Sequence, residues 1–134
     1  MEIKMKRVKS LLFIVILCSL TLIIGACNGI KATENAIAVS DFMEDPIYDT
    51  EVIIKGEVSL LGELFCPCFE LTSGGETVLV WYGLMVEDNG TERSAASTEG
   101  IENGDQVIVT GELKLGGIHH SLNDFWASAI EKTN

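Results

Sequence analysis

"EVIIKGEVSL", residues 51–60, puts Val52, Ile54, Gly56, Val58 and Leu60 on alternate positions, with Glu51, Lys55, Glu57 and Ser59 between them. A period of two is the mark of a strand with one face buried and one wet. The pattern returns between Asp105 and Leu115, with Val107, Val109, Gly111, Leu113 and Leu115 on one side and Gln106, Thr110, Glu112 and Lys114 on the other. The two stretches align residue by residue, IIKGEVSL (53–60) with IVTGELKL (108–115), and each carries a glycine on its apolar face. Glycine weakens a strand interior unless the strand bends sharply or another backbone comes close. Sharp bending is what closing a small barrel requires.

Three further strands fit around this pair. Residues 65–72 (FCPCFELT) run into Ser73-Gly74-Gly75-Glu76, a turn whose glycines supply positive φ, and residues 77–83 (TVLVWYG) return as a β-branched and aromatic strand. A polar stretch from Glu87 to Asp105 contains the turn signals Asp88-Asn89-Gly90 and Asn103-Gly104-Asp105, and a last strand is expected from Asp124 to Ile130. Upstream, Ser40-Asp41-Phe42-Met43-Glu44 offers a capping residue and early acids for a short helix that Pro46 stops. An immunoglobulin-like sandwich would need about seven strands, two more than are legible.

Five strands, a glycine-bent first strand, a hairpin of the second and third, a long third-to-fourth connection and a valine-x-glycine-x-leucine fourth strand together resemble the OB-fold, a five-stranded Greek-key barrel. The resemblance covers roughly residues 50–131. It is similar, more narrowly, to small exported domains of the bacterial OB-fold family and to archaeal tRNA-anti-like OB-fold lipoproteins. The fold class expected is therefore all-β, a five-stranded barrel with a short N-terminal helix behind a lipoprotein signal peptide.

The leader supports export. Lys4, Lys6, Arg7 and Lys9 precede a charge-free apolar run from Ser10 to Ile24, the order of a signal peptide's basic and apolar regions. That run is shorter than the roughly 20 apolar residues a bilayer span needs. It ends in Ile24-Gly25-Ala26-Cys27, which resembles the lipobox of bacterial and some archaeal lipoproteins. The resemblance implies cleavage before Cys27, a diacylglyceryl group on its sulfur, and a membrane-anchored protein on the extracytoplasmic face of the cell membrane. An uncleaved anchor or an ordinary signal peptidase site is the alternative. The organisation expected is a signal peptide over 1–26, a lipidated N-terminus and tether over 27–38, and a barrel domain over 39–134.

The leader holds four of the nine basic residues and one of the 20 acidic ones, so the remainder has five Lys/Arg against 19 Asp/Glu, a net charge of −14. Such a surface repels phosphate backbones and anionic headgroups. Nucleic acid is therefore not the expected partner, although Trp81, Tyr82 and Trp126 are the side chains that could stack on bases. In an OB-fold the outer faces of the second and third strands, with the 1–2 and 4–5 loops, form the usual binding surface. Glu70, Trp81, Tyr82 and Trp126 are the candidate binding residues there, for an unidentified small ligand or a protein partner.

Of four cysteines, Cys18 leaves with the leader and Cys27 takes lipid, which leaves Cys66 and Cys68 around Pro67. In an extended strand their Cα atoms would lie roughly 6.5 Å apart, near the upper limit for a disulfide, so a bond needs a local turn. The bridge would close a loop of three residues and remove little unfolded-state entropy. Unmodified thiols are a second reading. A zinc or copper(I) site is a third, with Cys66, Cys68 and one of His119 and His120 as donors. The adjacent histidines point to opposite sides of an extended chain, and no CxxC or HxxxH spacing occurs. The leading functional reading is a binding module, and the alternative is a redox or metal-handling module built on Cys66, Cys68 and a loop histidine.

Other signals are weaker. The haem chaperone of cytochrome c maturation is also a tethered OB-fold, but its histidine is followed four residues on by tyrosine, where this chain has Asn123 and Asp124. Asn89-Gly90-Thr91 fits a glycosylation acceptor on a loop. Neighbouring oxygens of Asp88 and Glu92 lack the spacing of a calcium loop. No carboxylate pair or nucleophile motif is placed for catalysis, so no enzyme and no cofactor is expected.

Overall fold

A computed structural model describes residues 33–115 and 124–133. Cys27, the leader, His119 and His120 lie outside the described residues. In chain order the elements are β1 (Ile37–Ala38), α1 (Val39–Glu44), β2 (Glu51–Ser59), β3 (Cys68–Ser73), β4 (Glu76–Trp81), β5 (Met85–Val86), β6 (Glu92–Arg93), β7 (Gln106–Leu113) and β8 (Asp124–Lys132). The order β2-β3-β4-β8-β7 closes on itself through β2–β7, giving a five-strand barrel. Every pair in the ring is antiparallel except β4–β8, where Leu79 faces Asp124 and Trp81 faces Trp126 in parallel. This Greek-key order is that of an OB-fold, with β2, β3, β4, β7 and β8 as its five strands.

The two glycine-bearing strands lie side by side. Gly111 faces Val52 and Gly56 faces Val107. Both glycines mark close backbone approaches. A Cβ on Gly56 would stand 2.7 Å from the Thr72 carbonyl oxygen, and one on Gly111 would collide with the Trp126 carbonyl oxygen and sit 2.8 Å from Phe125 Cε1. The β7–β8 register also slips between Thr110 and Gly111, so a bulge bends the barrel there.

Inside, Ile54 and Val58 from β2, Phe69 and Leu71 from β3, Val78 and Val80 from β4, Val107, Val109 and Leu113 from β7 and Phe125 from β8 are buried. The interior is a packed core. Helix α1 adds Val39 and Phe42 to it, with Phe42 edge-on to Phe125 at a centroid distance of 6.3 Å. Its N-cap is Ala38, with no side-chain cap hydrogen bond. Ser40, read from sequence as the capping residue, instead lies against Gly74 in the β3–β4 turn, where a Cβ would meet it at 2.7 Å.

Three local expectations change. Ile37 and Ala38, read as tether, pair with Ile54 and Lys55 of β2, and Ala36 is buried, so the ordered sheet starts inside the stretch assigned to the linker. Leu60 and Leu115 do not continue the apolar faces: Leu60 turns the chain with φ 58°, and Leu115 lies beyond β7 and is exposed. The strand expected from Phe65 begins only at Cys68, because the Cys68 amide donates to the Cys66 carbonyl oxygen (2.8 Å) and this tight turn takes the chain out of the sheet. Among the described residues no helix is long and apolar enough to cross a membrane.

Candidate functional site

Cross-strand partners share a face, and two registers set the outer surface of the barrel. Cys68 pairs with Trp81, Trp81 with Trp126, and Trp126 with Glu112. The neighbouring row runs from Glu70 to Leu79 to Asp124. Since Phe69, Val80, Phe125 and Leu113 alternate with the first row and fill the core, Cys68, Trp81, Trp126 and Glu112 belong to the outward side. Glu70, Trp81 and Trp126, three of the four candidate binding residues, therefore occupy one outer face. Tyr82 does not join them. Its ring stacks on Phe69 at 6.1 Å and packs against the core.

Cys66 and Cys68 occupy different environments. Cys66 is half-buried, whereas Cys68 is fully buried although it stands on the outward side of β3. Their sulfurs are in close contact, and the tight turn brings their Cα atoms to 5.2 Å, within disulfide range. The loop is held against the chain that leaves β4. The Tyr82 amide donates to the Pro67 carbonyl oxygen (2.9 Å), and Gly83 lies so close to the Pro67 ring that a Cβ there would collide with it. Two residues close to this contact in the chain carry exposed apolar side chains, Phe65 at 113 % relative exposure and Leu84 at 62 %.

Trp126 carries a feature that was not read from the sequence. Lys114 Nζ lies 4.9 Å from its ring centroid and the Arg93 guanidinium 6.0 Å. Both cations are also held by carboxylates. Arg93 pairs with Glu87 and with Glu112 (2.9 Å), and Lys114 pairs with Glu112 (3.0 Å), Asp49 (3.4 Å) and Glu87 (3.4 Å). Burial opposes the charge on Glu112, but hydrogen bonds from Arg93 and Lys114 and their positive charges outweigh it and lower its carboxyl below the ordinary value. The same balance raises Lys114: burial disfavours its charge, and the Glu112 hydrogen bond and surrounding carboxylates overcome that. Arg93 is raised chiefly by its hydrogen bond to Glu112. The spacing of Glu112, in β7, and Lys114, just past its end, is visible in the sequence. Arg93 reaches the cluster only because the β5–β6 ribbon places Arg93 opposite Met85, a pairing that no periodicity announces.

The remaining sites are separate. A shallow polar groove of about 490 Å³ is lined by Glu57, Ser59, Thr72, Ser73, Gly74 and Gln106. Asn89 is exposed in the β5–β6 turn, where its side-chain oxygen accepts from the Thr91 amide at 2.9 Å. Among the described residues no group of three or more His, Cys, Asp or Glu side chains converges as metal ligands. The third proposed donor to Cys66 and Cys68, His119 or His120, lies outside the described residues.

No protein-family model matches the chain, and no curated protein matches it. A solved structure does resemble it. The hypothetical protein ygiW from E. coli superposes with a TM-score of 0.48 at 15 % identity, over 73 % of this chain and 89 % of that one.

Proposed function

We propose that this chain is an extracytoplasmic lipoprotein, held at the membrane by a diacylglyceryl group on Cys27, whose OB-type barrel is a binding module for an extended protein segment. Export rests on the basic, apolar and lipobox order of the leader. Two acyl chains give stable anchoring, since each buried methylene contributes about 0.8 kcal/mol. The mode of binding follows from packing. The barrel interior is filled by Phe69, Leu71, Leu113, Phe125 and the surrounding valines, so a ligand is held on the outer surface.

The observation that carries the reading is the exposure of Phe65 and Leu84, which lie two residues before Pro67 and one after Gly83 in the two chain segments that pack on each other. Covering a side chain of this size contributes about 1.5–3 kcal/mol, so the pair is a ready anchor for an apolar segment. The acidic surface favours a partner with basic residues around that segment.

A photoreactive amino acid at position 65 of the full chain, activated in intact membranes, is expected to give one discrete protein adduct. At position 131, an exposed site towards the far end of β8, it is expected to give none. Equal adducts from both positions contradict a specific face. Labelling of phospholipid alone assigns the apolar lip to the bilayer instead of a protein.

A further inference from the structure

We propose that Cys66 and Cys68 form a disulfide that exchanges with the thiols of a bound dithiol peptide, with Cys66 as the sulfur attacked. The inference rests on the extracytoplasmic placement proposed above, where exported thiols are oxidised. Three observations carry it. The pair closes a ring of three residues, so as a staple it removes little disorder from the unfolded chain. The two residues are unequally exposed, Cys66 half-buried and Cys68 fully buried, so Cys68 offers solvent no sulfur. And the half-buried Cys66 directly follows the exposed Phe65 in the chain, while the exposed Leu84 directly follows the Gly83 that packs on Pro67, so an apolar segment covering Phe65 brings its own thiol to Cys66.

Exchange requires the attacking thiolate to approach one sulfur along the S–S axis while the other leaves. Solvent access selects Cys66 as the electrophile and Cys68 as the leaving group. The substrate thiolate forms a bond to Cys66 Sγ, the Cys66–Cys68 bond breaks, and the Cys68 thiolate leaves and takes up from solvent the proton that the substrate thiol gave up. The second thiol of the substrate then attacks the mixed disulfide at the substrate's sulfur and releases Cys66. The peptide dithiol is oxidised to a disulfide, and the protein pair is reduced to two thiols. The reverse exchange with a low-molecular-weight disulfide restores the pair.

The test uses full-length protein extracted from membranes in detergent and a reduced synthetic peptide whose two cysteines are flanked by phenylalanine and leucine. The wild type is expected to oxidise one equivalent of peptide and gain two titratable thiols. C68A, which keeps the accessible sulfur, is expected to form a mixed disulfide with the thionitrobenzoate-activated peptide, and C66A to do so at least about tenfold more slowly. Equal rates for the two variants overturn the assignment of Cys66. An oxidised wild-type pair that survives the peptide unchanged overturns the exchange and leaves the extracytoplasmic placement standing. Free Cys66 and Cys68 thiols that a low-molecular-weight disulfide does not re-oxidise to the pair overturn the exchange as well. F65S keeps the pair and is expected to oxidise the peptide about tenfold more slowly while dithiothreitol reduces it at the wild-type rate. Unchanged peptide oxidation, or equal slowing with both reductants, overturns the role of the apolar lip.

Discussion

Alanine at Phe125 is expected to destabilise the barrel by about 4 kcal/mol, a large share of what a domain of this size possesses. The ring is fully buried and touches two layers at once: it lies within the β7–β8 wall opposite Leu113, and it meets Phe42 of α1 edge-on. Truncation leaves a void between barrel and helix that neither can collapse into, because β8 is fixed by β4 on one side and β7 on the other. Urea unfolding of the full chain in detergent would read the loss as a lower midpoint with an unchanged slope. A shift below about 1 kcal/mol would mean that α1 does not close the barrel over Phe125.

The second large effect is expected at Gly111, where alanine should cost about 3 kcal/mol through overpacking. Its added methyl collides with the Trp126 backbone carbonyl, which is part of the β7–β8 ladder and has no rotamer to adopt. The Phe125 ring is the other neighbour. Shrinking that ring in the double variant is therefore expected not to rescue the substitution, since the backbone collision remains. Recovery of stability in the double variant would place the conflict in the side chain and remove the argument that strand contact demands this glycine. Gly75 makes a useful control. It has φ 86° and open space around its missing Cβ, so alanine there strains only the turn.

These two positions also show how far the sequence carries. The alternation in 51–60 and 105–115, with a glycine at the same place in each, specifies two bent strands. Their pairing across Gly56 and Gly111 is the closure of the barrel. The Gly74-Gly75 turn specifies the β3–β4 hairpin. Binary patterns lose their meaning at strand ends, and this is where Leu60, Phe65 and Leu115 depart from them. Each continues an apolar face on paper, yet a positive φ, a tight turn or the end of the ladder takes it out of the sheet.

The candidate site was only half legible for a related reason. Parity places Cys68 on the side of Glu70, and the structure keeps it there. Parity says nothing about enclosure, so the burial of Cys68 beside the Pro67–Gly83 contact was invisible. The charge cluster over Trp126 was missed because its members come from four separate segments of chain: Asp49, Glu87, Arg93, and the Glu112–Lys114 pair. Scattered in sequence, two of the few cations meet over one indole ring.

An intact-mass measurement on protein extracted from membranes, before and after reduction, tests the account most directly. The prediction is a chain that starts at Cys27, carries a diacylglyceryl group there, and gains two hydrogens on reduction through Cys66 and Cys68. An unacylated chain that retains its leader, with both thiols open to alkylation without reductant, would contradict the account at its root.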